Sequence, residues 1–225
     1  MSRICTICAR GGSQGVPGKN TKLIKGIPLI AHSIIQAQES KLFDALAVSS
    51  DSQEILDIAK DFGVDYCIKR PDEMASETAA KVPVIRHCVE SVEKLCKISF
   101  DVCVDLDCTS PLREVSDIVE AVKLLEDENR ENVITGMPSR RSPYFNLVER
   151  NKEGKVVLSK SLDQKIVRRQ DSPECYDMNA SVYVWKREVL AKNDKVFLET
   201  TGIYVMPEER SIDIDSPLDF EFVKF

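Results

Sequence analysis

The run Ile4-Cys5-Thr6-Ile7-Cys8-Ala9 passes straight into Arg10-Gly11-Gly12-Ser13-Gln14-Gly15-Val16-Pro17-Gly18-Lys19-Asn20. The first six residues carry no charge and read as a buried strand. Four glycines then fall within residues 11–18. They let the main chain approach a ligand closely and allow its N–H groups to converge on anionic oxygens. Arg10 and Lys19 bracket the loop, and each can pair with an anion. The pattern is neither GxxxxGK[ST] nor GxGxxG. Its place, after the first strand of an α/β pattern, is where such folds bind ligands.

Outward from that loop, apolar runs alternate with amphipathic stretches. Residues 28–39 read as a helix opened by proline, 44–49 as a second strand, and 53–62 as a helix ended by Gly63. Asp51 stands where its carboxylate would cap that helix. Strands follow at 64–68, 102–107 and 132–137, with helices at 80–95 and 115–127. Strands alternating with helices of this length imply right-handed βαβ crossovers. The expected fold is a single-domain α/β chain with a mainly parallel sheet flanked by helices. Between 138 and 173 the rhythm breaks. Strand-like pieces at 145–149 and 155–158 flank the turn residues 151–154, which predicts a small β-hairpin insertion. Strands at 181–185, 202–206 and 212–215 then resume the core, and 217–225 reads as helical.

Composition limits the function classes. The chain has 225 residues, 43% apolar and 30% charged, which suits one globular core. No apolar run approaches the roughly 18–20 residues of a membrane span, and the short first run is a strand rather than an export signal. The expected location is the cytoplasm. A net charge of −6 argues against nucleic acid as partner, though a local basic pocket for a small anion remains open. The eight cysteines are then expected as thiols. Cys5 and Cys8, three apart on one strand, point to opposite faces and do not form a zinc half-site. His32 and His87 fall within helices, away from any nucleophile motif.

Ser211-Ile212-Asp213-Ile214-Asp215 places two carboxylates two residues apart. On a strand they share a face, with the isoleucines turned into the core. Like charges side by side repel unless a cation or proton lies between them. Mg²⁺ suits such a pair, since it takes one or two carboxylates and completes its shell with water and phosphate. On spacing alone, two solvated acids at a strand end fit equally. Asp105 and Asp107 form a second pair of the same spacing.

These blocks together resemble the acylneuraminate cytidylyltransferases, the CMP-sialic acid synthetases and their relatives. The resemblance is carried by residues 9–15 with Lys19-Asn20, Ser49-Ser50-Asp51, Arg70-Pro71 and Thr109-Ser110-Pro111-Leu112-Arg113. Arg169-Gln170, residues 176–183 and residues 211–215 complete it, so it spans essentially the whole chain. Within the family the chain most resembles the bacterial branch acting on legionaminic acid and similar nonulosonates.

The resemblance implies a nucleotide-diphospho-sugar transferase-like fold and transfer of CMP from CTP to an acidic nine-carbon sugar. It implies Arg10, Lys19, Asp213 and Asp215 as catalytic residues, the two aspartates holding Mg²⁺. Nucleotide contacts would come from Arg10, Gly11, Gly12, Ser13, Lys19, Asn20, Arg70 and Ser76. Sugar contacts would come from Asp107, Thr109, Arg169, Gln170, Tyr176 and Asn179, with Tyr144-Phe145 walling the acyl groups. A homodimer is implied, with the 138–173 hairpin completing the neighbour's sugar site. Two departures stand out. Gln14 replaces a lysine common in relatives, and Asp107-Cys108 replaces a glutamine and proline. The alternatives are a synthetase for the eight-carbon sugar Kdo and a CTP-binding homologue without activity. The former is disfavoured by the Arg169-Gln170 and 176–183 blocks, the latter by the presence together of Arg10, Lys19, Asp213 and Asp215.

Overall fold

The computed structural model of the chain describes residues 1–12, 15–76, 79–162 and 168–224. The expected first strand is β1 (Arg3–Cys8), and the glycine loop leads to a hairpin of β2 (Leu23–Ile24) and β3 (Ile27–Pro28). Its two turn residues, Lys25 and Gly26, both have positive φ, as a tight two-residue hairpin requires. Then follow α1 (Leu29–Ser40), β4 (Ala45–Ser50), α2 (Gln53–Asp61), β5 (Tyr66–Lys69), α3 (Lys81–Cys96) and β6 (Val102–Leu106). Next come α4 (Val115–Asp127), β7 (Asn132–Pro138), and the paired short strands β8 (Val148–Arg150) and β9 (Val156–Leu158). The chain ends with β10 (Tyr176–Lys186), α5 (Arg187–Lys192), β11 (Gly202–Val205) and α6 (Pro217–Val223).

Seven strands form one sheet in the order β11-β7-β10-β6-β1-β4-β5. β1 pairs in parallel with both β4 and β6, so the chain winds outward from β1 in two directions. The carboxyl edge of β1 is therefore the topological switch point at which open α/β sheets bind ligands. β10 runs antiparallel to β6 and β7. The 138–173 excursion returns the chain at the carboxyl edge of β7, so the next strand must run the opposite way.

Side chains alternate faces along β1. Cys5 and Ile7 enter the core beneath α1, α2 and α4, while Ile4 joins the core beneath α3 and α5. Trp185 fills this second core and stacks on Tyr183, with ring centroids 5.4 Å apart. Cys8 packs beside the second core, so the two cysteines diverge as expected, and all eight are thiols.

Two expectations are corrected. Residues 212–215 are an extended arm outside the sheet, held by the bond from Ile214 N–H to the Thr109 carbonyl at 2.9 Å. The alternation of isoleucine and aspartate persists because Ile214 is buried with Val16, Ile24, Leu29 and Phe220 in a small satellite core. Asp51 does not cap α2, whose N-cap is Ser52; its carboxylate accepts from the Gly11 N–H at 2.9 Å.

The loop between β6 and α4 is fixed by Arg113, which is 2% exposed. Its Nη1 donates to the Ser181 carbonyl at 2.6 Å, the Ser181 hydroxyl at 3.2 Å and the Asp107 carbonyl at 3.2 Å. Its Nη2 donates to the Ser33 hydroxyl at 2.7 Å and Gln36 Oε1 at 2.9 Å. Burial pulls its pKa down to about 10, so the acceptors are what keep the charge tolerable. Arg113→Ala is expected to lower the unfolding free energy by about 3 kcal/mol, because it strands buried acceptors on α1 and β10. Arg113→Lys should recover less than half of that, since an ammonium cannot span both elements. Urea unfolding checks both, and wild-type midpoints would refute the role.

Candidate active site

The carboxyl ends of β1, β5 and β6 and the 211–215 arm surround a cavity of about 470 Å³. Arg10, Lys19, Arg70, Lys81, Asp107, Asp213 and Asp215 all contribute to its lining. The size is that of a small-molecule site, and the lining is strongly charged.

The glycine loop forms one wall and is tied down at several points. Asp51 holds the Gly11 N–H, Ala9 N–H donates to the Ser49 carbonyl at 3.0 Å, and Asn20 Nδ2 donates to the Arg10 carbonyl at 3.0 Å. Asn20 also accepts from the Cys108 thiol at 3.3 Å, so its side chain braces the loop against the β6 end. Among the described residues the Arg10 guanidinium has no carboxylate partner, which leaves its charge for a ligand. Gly12 faces the cavity, whereas Ser13, expected beside it, lies with Gln14 outside the described residues.

The 211–215 arm forms the facing wall and is locked to the loop. Lys19 Nζ donates to the Ile214 carbonyl at 2.6 Å and lies 3.6 Å from Asp215 Oδ1. A Cβ added at Gly15 would lie 1.9 Å from the Asp215 carbonyl oxygen. That position therefore demands glycine for close backbone approach. Beyond the arm, Ser216 and Asp219 make a reciprocal capping box at the start of α6, and Asp219 also accepts from the Asp215 N–H at 3.2 Å.

Asp213 and Asp215 both line the cavity, as the sequence pattern requires. Burial, reinforced by the charges of Asp107 and Asp215, pushes the Asp213 carboxyl up to about 6, although a hydrogen bond with Thr109 opposes the shift. Its Oδ1 is buried without a hydrogen-bond partner among the described residues. An orphaned carboxylate oxygen beside a second carboxylate fits a hard divalent cation such as Mg²⁺. Among the described residues no group of three or more His, Cys, Asp and Glu side chains could hold a metal, so such an ion would take two protein carboxylates and complete its shell elsewhere.

The remaining walls hold Arg70, Ser76, Thr109 and Asp107. Arg70 is 5% exposed and donates to the Ser49 hydroxyl and carbonyl, at 3.3 and 2.9 Å, which excludes a surface ion pair. Ser76 lines the same cavity and donates to the Glu73 carbonyl at 3.4 Å. Asp107 Oδ1 accepts from the Thr109 N–H at 3.1 Å and hydroxyl at 2.9 Å, while Oδ2 accepts from Lys81 at 2.7 Å.

Residues 4–224 match the family model for cytidylyltransferases. The chain belongs to the cytidylyltransferase family. It is 48% identical over 226 residues to post-translational flagellin modification protein B of Campylobacter coli, covering 100% of this chain and 95% of that protein. It is 46% identical to CMP-N,N'-diacetyllegionaminic acid synthase of Campylobacter jejuni, covering 99% of this chain and 93% of that one. It is 30% identical to an N-acylneuraminate cytidylyltransferase of Streptococcus agalactiae, covering 98% of this chain and 52% of that one. A structure of CMP:2-keto-3-deoxy-manno-octonic acid synthetase complexed with CTP superposes with a TM-score of 0.71 at 17% identity, covering 100% and 97% of the two chains. This enzyme is thus a nucleotidyltransferase, and its sheet is the fold shared with that structure.

The cytidylyltransferase does not gather all six expected sugar residues in one place. Asp107 and Thr109 line the cavity just described. Arg169, Gln170 and Tyr176 instead line a second cavity of about 560 Å³, bounded by the 138–142 segment and β11. Asn179 lines neither; it is 6% exposed, accepts from Thr135 at 2.7 Å and donates to Ser211 at 3.0 Å. Its amide is consumed in fixing the arm to β7 and β10. Among the described residues, Lys81 is the charged cavity residue that the sequence reading missed. Its signal is the Asp105/Asp107 pair, which needs a cation nearby if both acids are buried.

Replacing Gly15 by alanine should separate the glycine loop from the arm. The expected result is at least a hundredfold loss of turnover, because a displacement of about 1 Å at a reacting centre has effects of that order. Far-UV circular dichroism should stay close to wild type, while the unfolding midpoint falls as the added Cβ forces the loop off the Asp215 backbone. Full activity in Gly15→Ala would show that the loop and arm are independent.

Proposed function

We propose that this cytidylyltransferase joins CMP from CTP to the anomeric hydroxyl of a nonulosonic acid of the legionaminic or sialic type, releasing pyrophosphate. The observation that carries the reading is the end-to-end 46% identity to a CMP-N,N'-diacetyllegionaminic acid synthase. Likeness to the synthetase for the eight-carbon acid is 17% in sequence and speaks for the fold alone.

The cavity supplies what such a transfer needs. Arg10 and Lys19, with loop amides other than the Gly11 N–H held by Asp51, would face the anionic chain of the nucleotide and offset the charge of the departing pyrophosphate. Arg70 and Ser76 stand where the nucleoside would lie. Asp213 and Asp215 would hold Mg²⁺, which supplies positive charge where the α-phosphate and the attacking hydroxyl meet. Asp107 and Thr109, beside Asp213, would receive the sugar. Rate then comes from holding the reactants in line rather than from a covalent intermediate. Among the described residues no helix is long and apolar enough to cross a membrane, and we place the enzyme in the cytoplasm, where CTP is made.

Incubation with CTP, Mg²⁺ and a panel of nonulosonic acids plus Kdo tests this directly through pyrophosphate release. Release with a nonulosonate, abolished by chelation and lowered by orders of magnitude in Asp215→Ala, is the expected result. Release with Kdo alone would overturn the sugar assignment, and an undiminished Asp215→Ala would overturn the metal assignment.

We also read the protein as a homodimer. The β8–β9 hairpin exposes Val148, Val156 and Leu158 on one face, with 43–64% of each accessible. An isolated two-stranded hairpin is marginal in water, and a contiguous apolar surface of this kind marks an interface. Docked against a second copy, it would carry Arg169, Gln170 and Tyr176 toward the neighbour's sugar site. Sedimentation should give a dimer of the wild type and a monomer of Val156→Asp/Leu158→Asp; a monomeric wild type would refute it.

A further inference from the structure

Lys81 opens α3 and turns its amine into the main cavity between two aspartates of the β6 end. Nζ lies 2.7 Å from Asp107 Oδ2 and 3.3 Å from Asp105 Oδ2, and 4.3 Å from the centre of the Tyr183 ring. The two acids differ in setting. Asp105 is fully buried within the sheet, where Thr6 donates to its Oδ1 at 2.7 Å. Asp107 lies just past the strand and lines the cavity. A counter-ion serving only Asp105 would have no reason to sit closer to Asp107 or to keep 28% of its side chain accessible.

We propose that Lys81 is the positioning residue for Asp107: it fixes this carboxylate, charged and in one orientation, as the acceptor for a neutral hydrogen-bond donor of the sugar. The inference rests on the function proposed above and deepens it by naming the group recognised, a hydroxyl or acylamino N–H. Burial alone would favour the neutral acid at position 107. The lysine charge and the hydrogen bonds from Lys81 and Thr109 outweigh it. With Oδ1 taken up by two donors of Thr109 and Oδ2 by Lys81, the acceptor site left on Oδ2 has a defined direction, which is what discrimination between sugars requires. An ionised carboxylate at that spot also repels the acid group of a sugar. It therefore helps to decide which way round an acidic sugar enters, with the sugar's carboxylate directed away from position 107. Asp107 and Lys81 form one unit in this reading, so the identity of either constrains the other.

The test is a double-mutant cycle on steady-state constants for the active nonulosonate. Lys81→Met keeps the length of the stem and removes the charge; Asp107→Asn keeps the shape and removes the carboxylate. Each single substitution should raise the sugar KM at least tenfold and leave the CTP KM within twofold. In the Asp107→Asn background, Lys81→Met should add less than twofold, since there is no carboxylate left to position. Lys81→Arg should recover most of the affinity. Because Lys81→Met also strips buried Asp105 of its counter-ion, Lys81→Met/Asp105→Asn is measured beside it as the variant that retains the fold. It should show the same sugar KM defect. Additive effects, an unmoved sugar KM, or a defect confined to CTP would each overturn the proposal while leaving the cytidylyltransferase reading intact. A wild-type enzyme that neither turns over nor binds any nonulosonate by calorimetry would overturn that reading, and this inference with it.

Discussion

The buried Arg113 guanidinium joins three parts of the chain that are far apart in sequence. It fans onto Ser33 and Gln36 of α1, Ser181 of β10 and the main chain at Asp107. Gln36 answers by donating to the carbonyls of Pro111 and Arg113 itself. The 107–113 loop therefore has one available path. Because the Thr109 carbonyl accepts from Ile214, the position of the acidic arm is inherited from that path. A cation buried so deeply is tolerated only when several acceptors meet it with good geometry. The arrangement thus trades a costly desolvation for a loop that cannot shift, and the loop is what sets Asp107, Thr109 and Asp213 at fixed spacings.

A second constraint acts from the opposite wall. Gly15 lies directly on the Asp215 backbone, and Lys19 reaches across to Ile214 and Asp215. The glycine loop and the acidic arm are consequently one rigid unit, backed by a satellite core in which Val16 meets Ile214. Preorganisation of this kind matters for a transfer whose rate derives from alignment and electrostatics rather than covalent chemistry. The chain places this close approach of Gly15 to the Asp215 backbone where the two halves of the proposed chemistry must not drift apart.

Much of this was legible in the sequence because periodicity is a local signal. α4 spans the same residues, 115–127, that its apolar pattern predicts, and β1 and α1 differ from expectation by a residue at their ends. What failed was information that is not local. The direction of β10 follows from where the insertion returns the chain, which no window of residues records. The Ile-Asp-Ile-Asp alternation reads as a strand because an extended arm with one buried side has the same period as a strand. Asp51 satisfies the pattern of a helix cap, yet the Gly11 N–H across the sheet edge wins its carboxylate. The acidic pair, Arg10, Lys19 and Arg70 converge as the motif order suggests. Lys81 carries no motif, and its partners lie 24 and 26 residues away on another element.

Charge accounting in the main cavity bears on the homodimer we propose. Its lining includes four cations, Arg10, Lys19, Arg70 and Lys81, against the acids Asp107, Asp213 and Asp215. Lys81 is committed to its two aspartates and Lys19 partly to the arm, so little positive charge is left over. A nucleoside triphosphate and an acidic sugar would add several negative charges to that nearly balanced space, at distances where partial burial weakens screening. The acidic pair accounts for one remedy, since a divalent cation converts two repelling carboxylates into a phosphate site. The second cavity accounts for another. It holds Arg141 and Arg169 on the apolar-faced insertion, beside Glu174 but away from Asp107 and Asp213. In the homodimer we propose, a second copy would bring Arg141 and Arg169 toward Asp107 and Asp213, and the sugar's carboxylate would meet those cations only there.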